Sequence, residues 1–331
     1  MTNSLKISLK VVLVGYGAIG KRHFQNLQQF TSDVIICSKQ KSLKNSNKTF
    51  PILTDCLKQN PDVGLISNIT NQHIETSKIL AKANCHLFIE KPLSHSEKDI
   101  KDLIKLVKKK NLTTLIGCNL RFHPCLIKVK NLLSTGKIGK IISVLAENGS
   151  YLPDWHADED YSKTYAARRD LGGGVVLTSI HELDYLFWLF GNISEVFSIS
   201  GKYSNLKVSA DDLSAILLKF KNNVVGEIHL DYFQKSKTRT CKIIGTKGII
   251  ECDLVKNTVN VFSNRQKKWK TILKLKNFDL NSTYVDELNH FFNCISKRKK
   301  TINTIDESFK ILQISLAILE SSKKKKVIKI K

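Results

Sequence analysis

The run Lys10-Val-Val-Leu-Val14 passes without a break into Gly15-Tyr16-Gly17-Ala18-Ile19-Gly20, and a helix-forming stretch from Ile19 to Phe30 follows. A short, wholly apolar segment ending in glycines of this spacing leaves few structural options. It reads as a buried strand, a tight turn and a helix opened by that turn. Each glycine has its own steric task. Gly15 makes the turn, Gly17 lets the main chain come close to a pyrophosphate, and Gly20 lets the helix pack on the strand. The helix start offers unpaired N–H donors and the positive end of its dipole to an anion. The competing reading is a structural glycine turn in an α/β domain that binds no nucleotide.

The next hundred residues repeat this grammar. Apolar runs at Asp33–Cys37, Val63–Ser67, His86–Glu90 and Thr113–Gly117 read as strands. Helical stretches lie between them, one over about 72–83 and one carrying Ile100, Leu103, Ile104 and Val107. Fully apolar strands separated by amphipathic helices predict a doubly wound parallel sheet of the Rossmann type over residues 1–120. Past residue 120 the order changes. A helix with Leu126, Val129 and Leu133 precedes a strand over 141–147, a polar loop from Tyr151 to Asp170, and one helix over Val176–Phe190. Strands are then expected at 195–202, 213–220, 224–233, 239–245, 248–253, 258–262 and 270–275, with a hairpin turn at Lys221-Asn-Asn223. Two helices, around Val285–Ile295 and Ile311–Leu319, close the chain. Residues 121–331 therefore read as a substrate-binding and oligomerisation α/β domain with a largely antiparallel open sheet.

Composition bears on compartment and partners. The formal net charge is +24, carried by 53 basic against 29 acidic residues. Such an excess invites a nucleic-acid or anionic-membrane reading. Only seven of the 53 are Arg, however, the residue whose planar fork reads phosphates and guanine edges. A Lys-, Asn- and Ile-rich chain with one Met also fits biased codon usage, and the run Lys323–Lys326 reads as solvated charge. No specific nucleic-acid partner is expected. The eight cysteines form no CxxC pair and read as reduced, buried thiols of a cytoplasmic protein. No apolar run approaches the roughly 18 residues of a membrane span, and no signal-peptide pattern opens the chain.

Three further segments carry chemistry. At the end of the second strand, where a preference for NAD would place a carboxylate on the ribose, the chain has Cys37-Ser38-Lys39. Nothing there repels a 2′-phosphate, and Ser38 with Lys39 suits one, which favours NADP over NAD. At the end of the fourth strand stands Glu90-Lys91-Pro92. A lysine at the carboxyl end of a parallel strand faces the ligand side of the sheet and can polarise a substrate hydroxyl. Farther on, Gly172-Gly-Gly174 precedes a helix on which Thr178, His181 and Asp184 share a face. A histidine titrates near working pH, so His181 can take a hydroxyl proton; the alternative is a core histidine.

Together these residues resemble the glucose–fructose oxidoreductase / inositol dehydrogenase (Gfo/Idh/MocA) family. The resemblance runs through Gly15-x-Gly17-x-x-Gly20, Asn68-Ile-Thr70-Asn-Gln-His73, Glu90-Lys91-Pro92, Asn119-Leu-Arg121-Phe-His123-Pro124, Gly172-Gly-Gly174 with His181-x-x-Asp184, and Leu189-Phe-Gly191. It implies NAD(P)-dependent oxidation or reduction of a sugar, cyclitol or sugar nucleotide, with Lys91 and His181 as catalytic residues. It also implies a homo-oligomer built through the C-terminal sheet. Cofactor contacts are expected from Gly15, Tyr16, Gly17, Ala18, Ile19, Gly20, Ser38, Lys39, Asn68, Thr70, His73, Glu90, Lys91 and Asn119. Substrate contacts are expected from Arg121, Trp155, Tyr165, Arg168, Thr178 and His181. Arg121 and His123 follow the fifth strand and are expected to face the ligand, with Arg121 either binding substrate or bracing the Glu90-Lys91-Pro92 turn. The loop of aromatics, carboxylates and Arg168-Arg169 suits a polyhydroxylated, anionic substrate; its style resembles members from surface-polysaccharide sugar pathways. No metal is expected, although His156, Asp158 and Asp160 admit a ligand reading.

One departure stands out. Many relatives carry Asp four residues before the histidine, where this chain has a shorter stretch and Thr178. Glu182 and Asp184 are the candidate replacements. The departure keeps open an NADP-binding sensor without turnover, and the resemblance itself also admits nicotinamide-assisted elimination or glycoside cleavage, since some relatives use the nicotinamide transiently.

Overall fold

The computed structural model describes residues 8–40, 48–155 and 159–330. The chain divides into two compact units. One takes the chain up to Asn119 together with Asn281–Leu312; the other takes Leu120–Leu280 and Gln313–Lys331.

In the first unit, β1 (Val11–Val14), β2 (Val34–Cys37), β3 (Thr49–Phe50), β4 (Val63–Ile66), β5 (His86–Glu90) and β6 (Thr114–Gly117) form one sheet. Its order is β3-β2-β1-β4-β5-β6 and every pair is parallel. The four residues of β1, β2, β4 and β6 are all buried, as a sheet covered on both faces requires. The helices of this unit are α1 (Ala18–Leu27), α2 (Leu53–Leu57), α3 (His73–Lys82), α4 (Ile100–Lys109) and α8 (Asn281–Ser296). β3 and α2 are not legible in the sequence. A two-residue strand has no period to detect, and residues 41–47 lie outside the described residues.

The division in space differs from a cut at residue 120. Leu288, Phe291 and Phe292 of α8 join Val11, Leu13, Leu27, Phe30, Val34, Val63, Leu65, Phe88 and Leu115 in one apolar cluster. The segment after α8 runs along the free edge of β6. Ile116 N donates to Asn303 O at 3.0 Å, Asn303 Nδ2 donates to Ile116 O at 3.1 Å, and Thr301 Oγ1 donates to Thr114 O. An edge left bare would expose unpaired main-chain groups, and this segment satisfies them.

In the second unit, β7 (Ile141–Gly149), β8 (Ile193–Gly201), β9 (Leu213–Phe220), β10 (Val225–Asp231), β11 (Thr238–Gly245), β12 (Gly248–Asp253), β13 (Thr258–Ser263), β14 (Lys268–Lys274) and β15 (Ile328–Lys329) make a nine-stranded sheet. Its order is β14-β13-β12-β11-β7-β10-β9-β8-β15, with β7–β10 the parallel pair and the other pairs antiparallel. The largely antiparallel expectation holds, and the predicted strands recur with small shifts at their ends. Residues 193–231 show why. Ser214, Ile216, Leu218 and Phe220 of β9 are buried, while the alternate positions 215, 217 and 219 are exposed. Such alternation is the sequence signature of a sheet covered on one face.

The covered face carries α5 (Pro124–Ser134), α6 (Val175–Thr178) and α7 (His181–Phe190). The open face shows Leu145, Ile199, Leu217 and Val225, the last two about half exposed at 50% and 48%. The helix expected over Val176–Phe190 is two helices, because the chain breaks at Ser179–Ile180. Ser179 leaves the helical conformation at ψ 34°, and its Oγ accepts from Asn148 Nδ2 of β7 at 3.1 Å. The last helix, α9 (Ile305–Lys324), ends in the lysine run, which is exposed. The chain then adds β15 beside β8 through Ile328 and Val196.

The β1–α1 junction yields a sharp test. A Cβ on Gly20 would lie 2.3 Å from the Gly15 carbonyl oxygen, which is main chain and cannot step aside. Gly20→Ala should lower unfolding stability by about 1–3 kcal/mol, read from urea unfolding. A variant as stable as the parent would mean that α1 and β1 separate at little cost.

Candidate active site

Because the first sheet is parallel, the carboxyl ends of its strands share one edge. The structure brings Gly15, Ser38, Asn68, Glu90, Lys91 and Asn119 to that edge, each directly after its strand or within two residues of it. Gly15 has φ +93°, and a Cβ there would lie 2.6 Å from the Asn68 amide nitrogen. Ser67 Oγ clamps the same turn by donating to the carbonyls of Val14 and Gly15 at 3.1 and 3.0 Å. Gly17 is different. A Cβ there would meet nothing within 4 Å, so its glycine is not demanded by the protein's own packing. It caps α1 with no side-chain hydrogen bond, and the first turn of α1 holds no acidic residue. Ala18 and Gly17 are exposed, and Tyr16 and Ile19 are half-buried. Nearby, Asn68 Oδ1 is a buried oxygen with no hydrogen-bond partner. An uncapped helix start, open space at Gly17 and an orphaned acceptor fit a dinucleotide with its pyrophosphate at the start of α1.

Ser38 Oγ accepts from Gln40 N at 3.2 Å, and Gln40 Nε2 reaches back to Tyr16 O at 3.1 Å. Lys39 is exposed. Asn119 Nδ2 donates to Thr283 Oγ1 at 2.8 Å, and Thr70 is buried.

His73 is not placed as a ligand contact. It is 1% exposed, and its Nδ1 and Nε2 face Pro92 O at 2.9 Å and Asn68 O at 3.0 Å. It ties the β4 loop to the β5 loop. Glu90 is buried; its Oε2 accepts from the Lys91 amide at 3.1 Å and its Oε1 lies 2.6 Å from His23 Nε2.

In the second unit the glycine turn before α6 is dictated by close main-chain approach. A Cβ on Gly173 would lie 2.0 Å from Tyr165 O, and one on Gly174, at φ +108°, would lie 2.3 Å from Asp211 Oδ1. Asp211 is a site residue that sequence reasoning misses. It accepts from Val176 N at 3.0 Å across 35 residues, a separation that no local pattern encodes. Burial pushes its carboxyl above the ordinary range. Thr178 is buried, the Tyr232 hydroxyl donates to Ala166 O at 3.4 Å, and His181, also buried, opens α7. Trp155 donates from Nε1 to Ser150 Oγ at 2.9 Å and stands edge-on to Tyr232. Tyr165 is half-buried. Arg168 is exposed and bonds Asp170 from Nε at 3.1 Å.

Arg121 departs from expectation. It is 1% exposed, and its Nε and Nη2 both donate to Asp184 at 2.8 Å. His123, likewise expected to face a ligand, caps α5 by accepting from Cys125 N, and its Nε2 lies 3.1 Å from Asn257 Oδ1. Glu182 is gripped in the same bidentate way by Arg239, at 2.8 and 3.1 Å. Both carboxylates considered as replacements near His181 are therefore held by guanidinium groups. Among the described residues no group of three His, Cys, Asp or Glu could hold a metal; His156 and Asp158 lie outside them. All eight cysteines are buried thiols outside any disulfide. No helix among the described residues is long and apolar enough to cross a membrane.

A parallel sheet in this order, with a glycine turn at its central strand and a lysine at the end of β5, defines a dinucleotide-binding α/β oxidoreductase. Comparison with known proteins makes this specific. The model described as "Oxidoreductase family, NAD-binding Rossmann fold" matches residues 9–118, and "Oxidoreductase family, C-terminal alpha/beta domain" matches 130–330. The chain belongs to the Gfo/Idh/MocA oxidoreductase family. It is 25% identical over 278 residues to a myo-inositol 2-dehydrogenase of Thermotoga maritima, covering 78% of this chain and 79% of that one. It is 26% identical over 313 residues to an inositol 2-dehydrogenase/D-chiro-inositol 3-dehydrogenase of Lactiplantibacillus plantarum, covering 88% and 85%. A levoglucosan dehydrogenase in complex with NADH has the same fold, with a TM-score of 0.87 at 20% identity over 98% of this chain and 99% of that one.

Two outcomes are expected from this geometry. Asp184→Asn removes the carboxylate from a buried guanidinium and should cost about 3–5 kcal/mol of stability in a denaturant titration; a loss below about 1 kcal/mol would show that Arg121 is compensated elsewhere. The second concerns pH. Burial, against the pull of the two carbonyls, holds the His73 ring below its ordinary 6.5. The unfolded chain takes up a proton near that pH which the folded ring refuses, so this residue withdraws stability as the pH falls below about 6.5. His86, His95 and His290 are lowered by burial too and act with the same sign. His73→Gln should narrow the gap in urea midpoint between about pH 7.5 and about pH 5. An unchanged gap would assign the acid sensitivity to the other three.

Proposed function

We propose that this chain is a dehydrogenase or reductase of a secondary alcohol or ketone on a sugar, cyclitol or sugar nucleotide. The reading is carried by the meeting of Gly15, Asn68 and Glu90-Lys91-Pro92 at one edge of the parallel sheet. The names of the relatives, inositol and levoglucosan dehydrogenases, support the substrate class. The nicotinamide, when bound, supplies the hydride acceptor or donor. The chain's own residues do the rest. Gly15, Tyr16, Gly17, Ala18, Ile19 and Gly20 hold the pyrophosphate, with Asn68, Thr70, Glu90 and Asn119 around them. Ser38 and Lys39 favour a 2′-phosphate and hence NADP, although the solved structures of this fold include complexes of NADH and of NAD. Lys91 orients and polarises the reacting oxygen, and His181 exchanges its proton. Thr178, Trp155, Tyr165 and Arg168 line the sugar, whereas the ion pair to Asp184 removes Arg121 from that group and makes it a support for α7.

A sensor that binds dinucleotide without turnover is the second reading. It is favoured by Thr178 in place of a carboxylate, with Glu182 and Asp184 both held by arginines. The division of labour at residue 120, with dinucleotide binding before it and substrate binding and self-association after it, belongs to the same proposal. So does a homo-oligomer through the open face that shows Leu217 and Val225. A cytoplasmic location follows from the eight buried thiols.

Lys91→Ala decides between the readings. With a panel of sugars, cyclitols and sugar nucleotides, the variant should lose about tenfold or more in turnover while still binding NADPH and NADH by fluorescence titration. A parent protein that binds dinucleotide but turns over nothing in the panel supports the sensor. An active variant removes Lys91 from the chemistry.

A further inference from the structure

His23 is a buried titratable group of the first unit that the reading above leaves without a task. It lies on α1, at 0% exposure, one turn beyond the glycines. Its ring is edge-on to Phe88 at 5.2 Å and to Tyr284 at 5.9 Å. Nε2 lies 2.6 Å from Glu90 Oε1. A carboxylate only accepts, so Nε2 carries the proton. Nδ1 is buried with no hydrogen-bond partner, so a proton there would be stranded. The contact therefore has one direction: the imidazole donates and Glu90 receives. The second oxygen of Glu90 accepts from the Lys91 amide at 3.1 Å. Gly117 makes room for the carboxylate, since a Cβ there would lie 3.1 Å from Oε1. Burial first, and then the neighbouring charge of Glu90, push the Tyr284 hydroxyl up to about 12.

We propose that His23 is a positioning residue for Lys91, acting through Glu90. The helix that opens at the glycine turn and the loop that carries Glu90-Lys91-Pro92 then form one hydrogen-bonded unit. The lysine side chain is long and flexible, and its reach is set by where its main chain is held. Fixing the Lys91 amide from α1 registers the ammonium against whatever lies at the start of that helix. This assignment rests on Lys91 being the reacting lysine; a plain core histidine would fill the same space without needing Nε2.

The variants His23→Leu and His23→Gln separate these roles, because the glutamine amide can still donate to Glu90. Hydrogen exchange of the segment 88–94 needs no turnover. His23→Leu should speed exchange there by about tenfold or more while leaving β1 and β4 unchanged, and His23→Gln should restore most of the protection. With NADP or NAD and myo-inositol as the probe pair, turnover should follow the same order, with kcat falling about tenfold or more in His23→Leu and KM little changed. Glutamine as impaired as leucine, or faster exchange spread evenly over the whole sheet, would overturn the proposal. Lys91→Ala, measured alongside, keeps the two ideas apart. If it loses turnover while His23→Leu does not, the link fails and the lysine assignment stands; if it keeps turnover, the lysine assignment fails whatever His23 does.

Discussion

The contact on which the first unit depends is the one between Gly20 and the carbonyl of Gly15. No side chain of any size fits there, and so α1 lies directly on the end of β1. That single close approach fixes the heading of α1. Its first turn faces the carboxyl edge of the sheet, and one turn later His23 meets Glu90 at the end of β5. Strand order does the rest, because a parallel sheet delivers the ends of β1, β2, β4, β5 and β6 to the same side. Residues that are distant in sequence thereby become neighbours without any long-range specificity in their own side chains.

Much of this is legible in the order of the amino acids, for a physical reason. Buried parallel strands must be apolar throughout, and the half-covered antiparallel strands must alternate, so Val11–Val14 and Leu213–Phe220 announce themselves by two different patterns. The glycine turn is legible because its residues are adjacent. What stays hidden depends on pairing across the chain. Nothing local marks Asp211 as the cap of Val176, or Asp184 as the partner of Arg121. The break at Ser179 is hidden too, since Val176–Phe190 is apolar enough for a continuous helix and the interruption is tied to Asn148 on another strand. The membership of α8 in the first unit is equally unreadable, because an amphipathic helix does not state which sheet it will cover.

The arginine pairs of α7 sharpen the meaning of Thr178. Asp184 and Glu182 sit on a buried helix and would be costly there as lone charges, so each takes a bidentate guanidinium. Such pairs contribute little net stability, but they fix the rotation of the helix that carries His181. The acidic character of the helix is thus spent on orientation, and a proton relay, where one exists, draws on other groups.

The two ends of the large sheet are not alike. One is closed by the two-residue strand β15. The other is β14, whose exposed Lys268, Lys270 and Lys274 stand along its length beside a half-exposed Trp269. A bare strand of that length would template further strands from neighbouring molecules, and the row of like charges makes such stacking repulsive. Part of the large positive charge therefore serves colloidal solubility: it keeps an extendable sheet from growing, and it would weaken in that role as salt screens it.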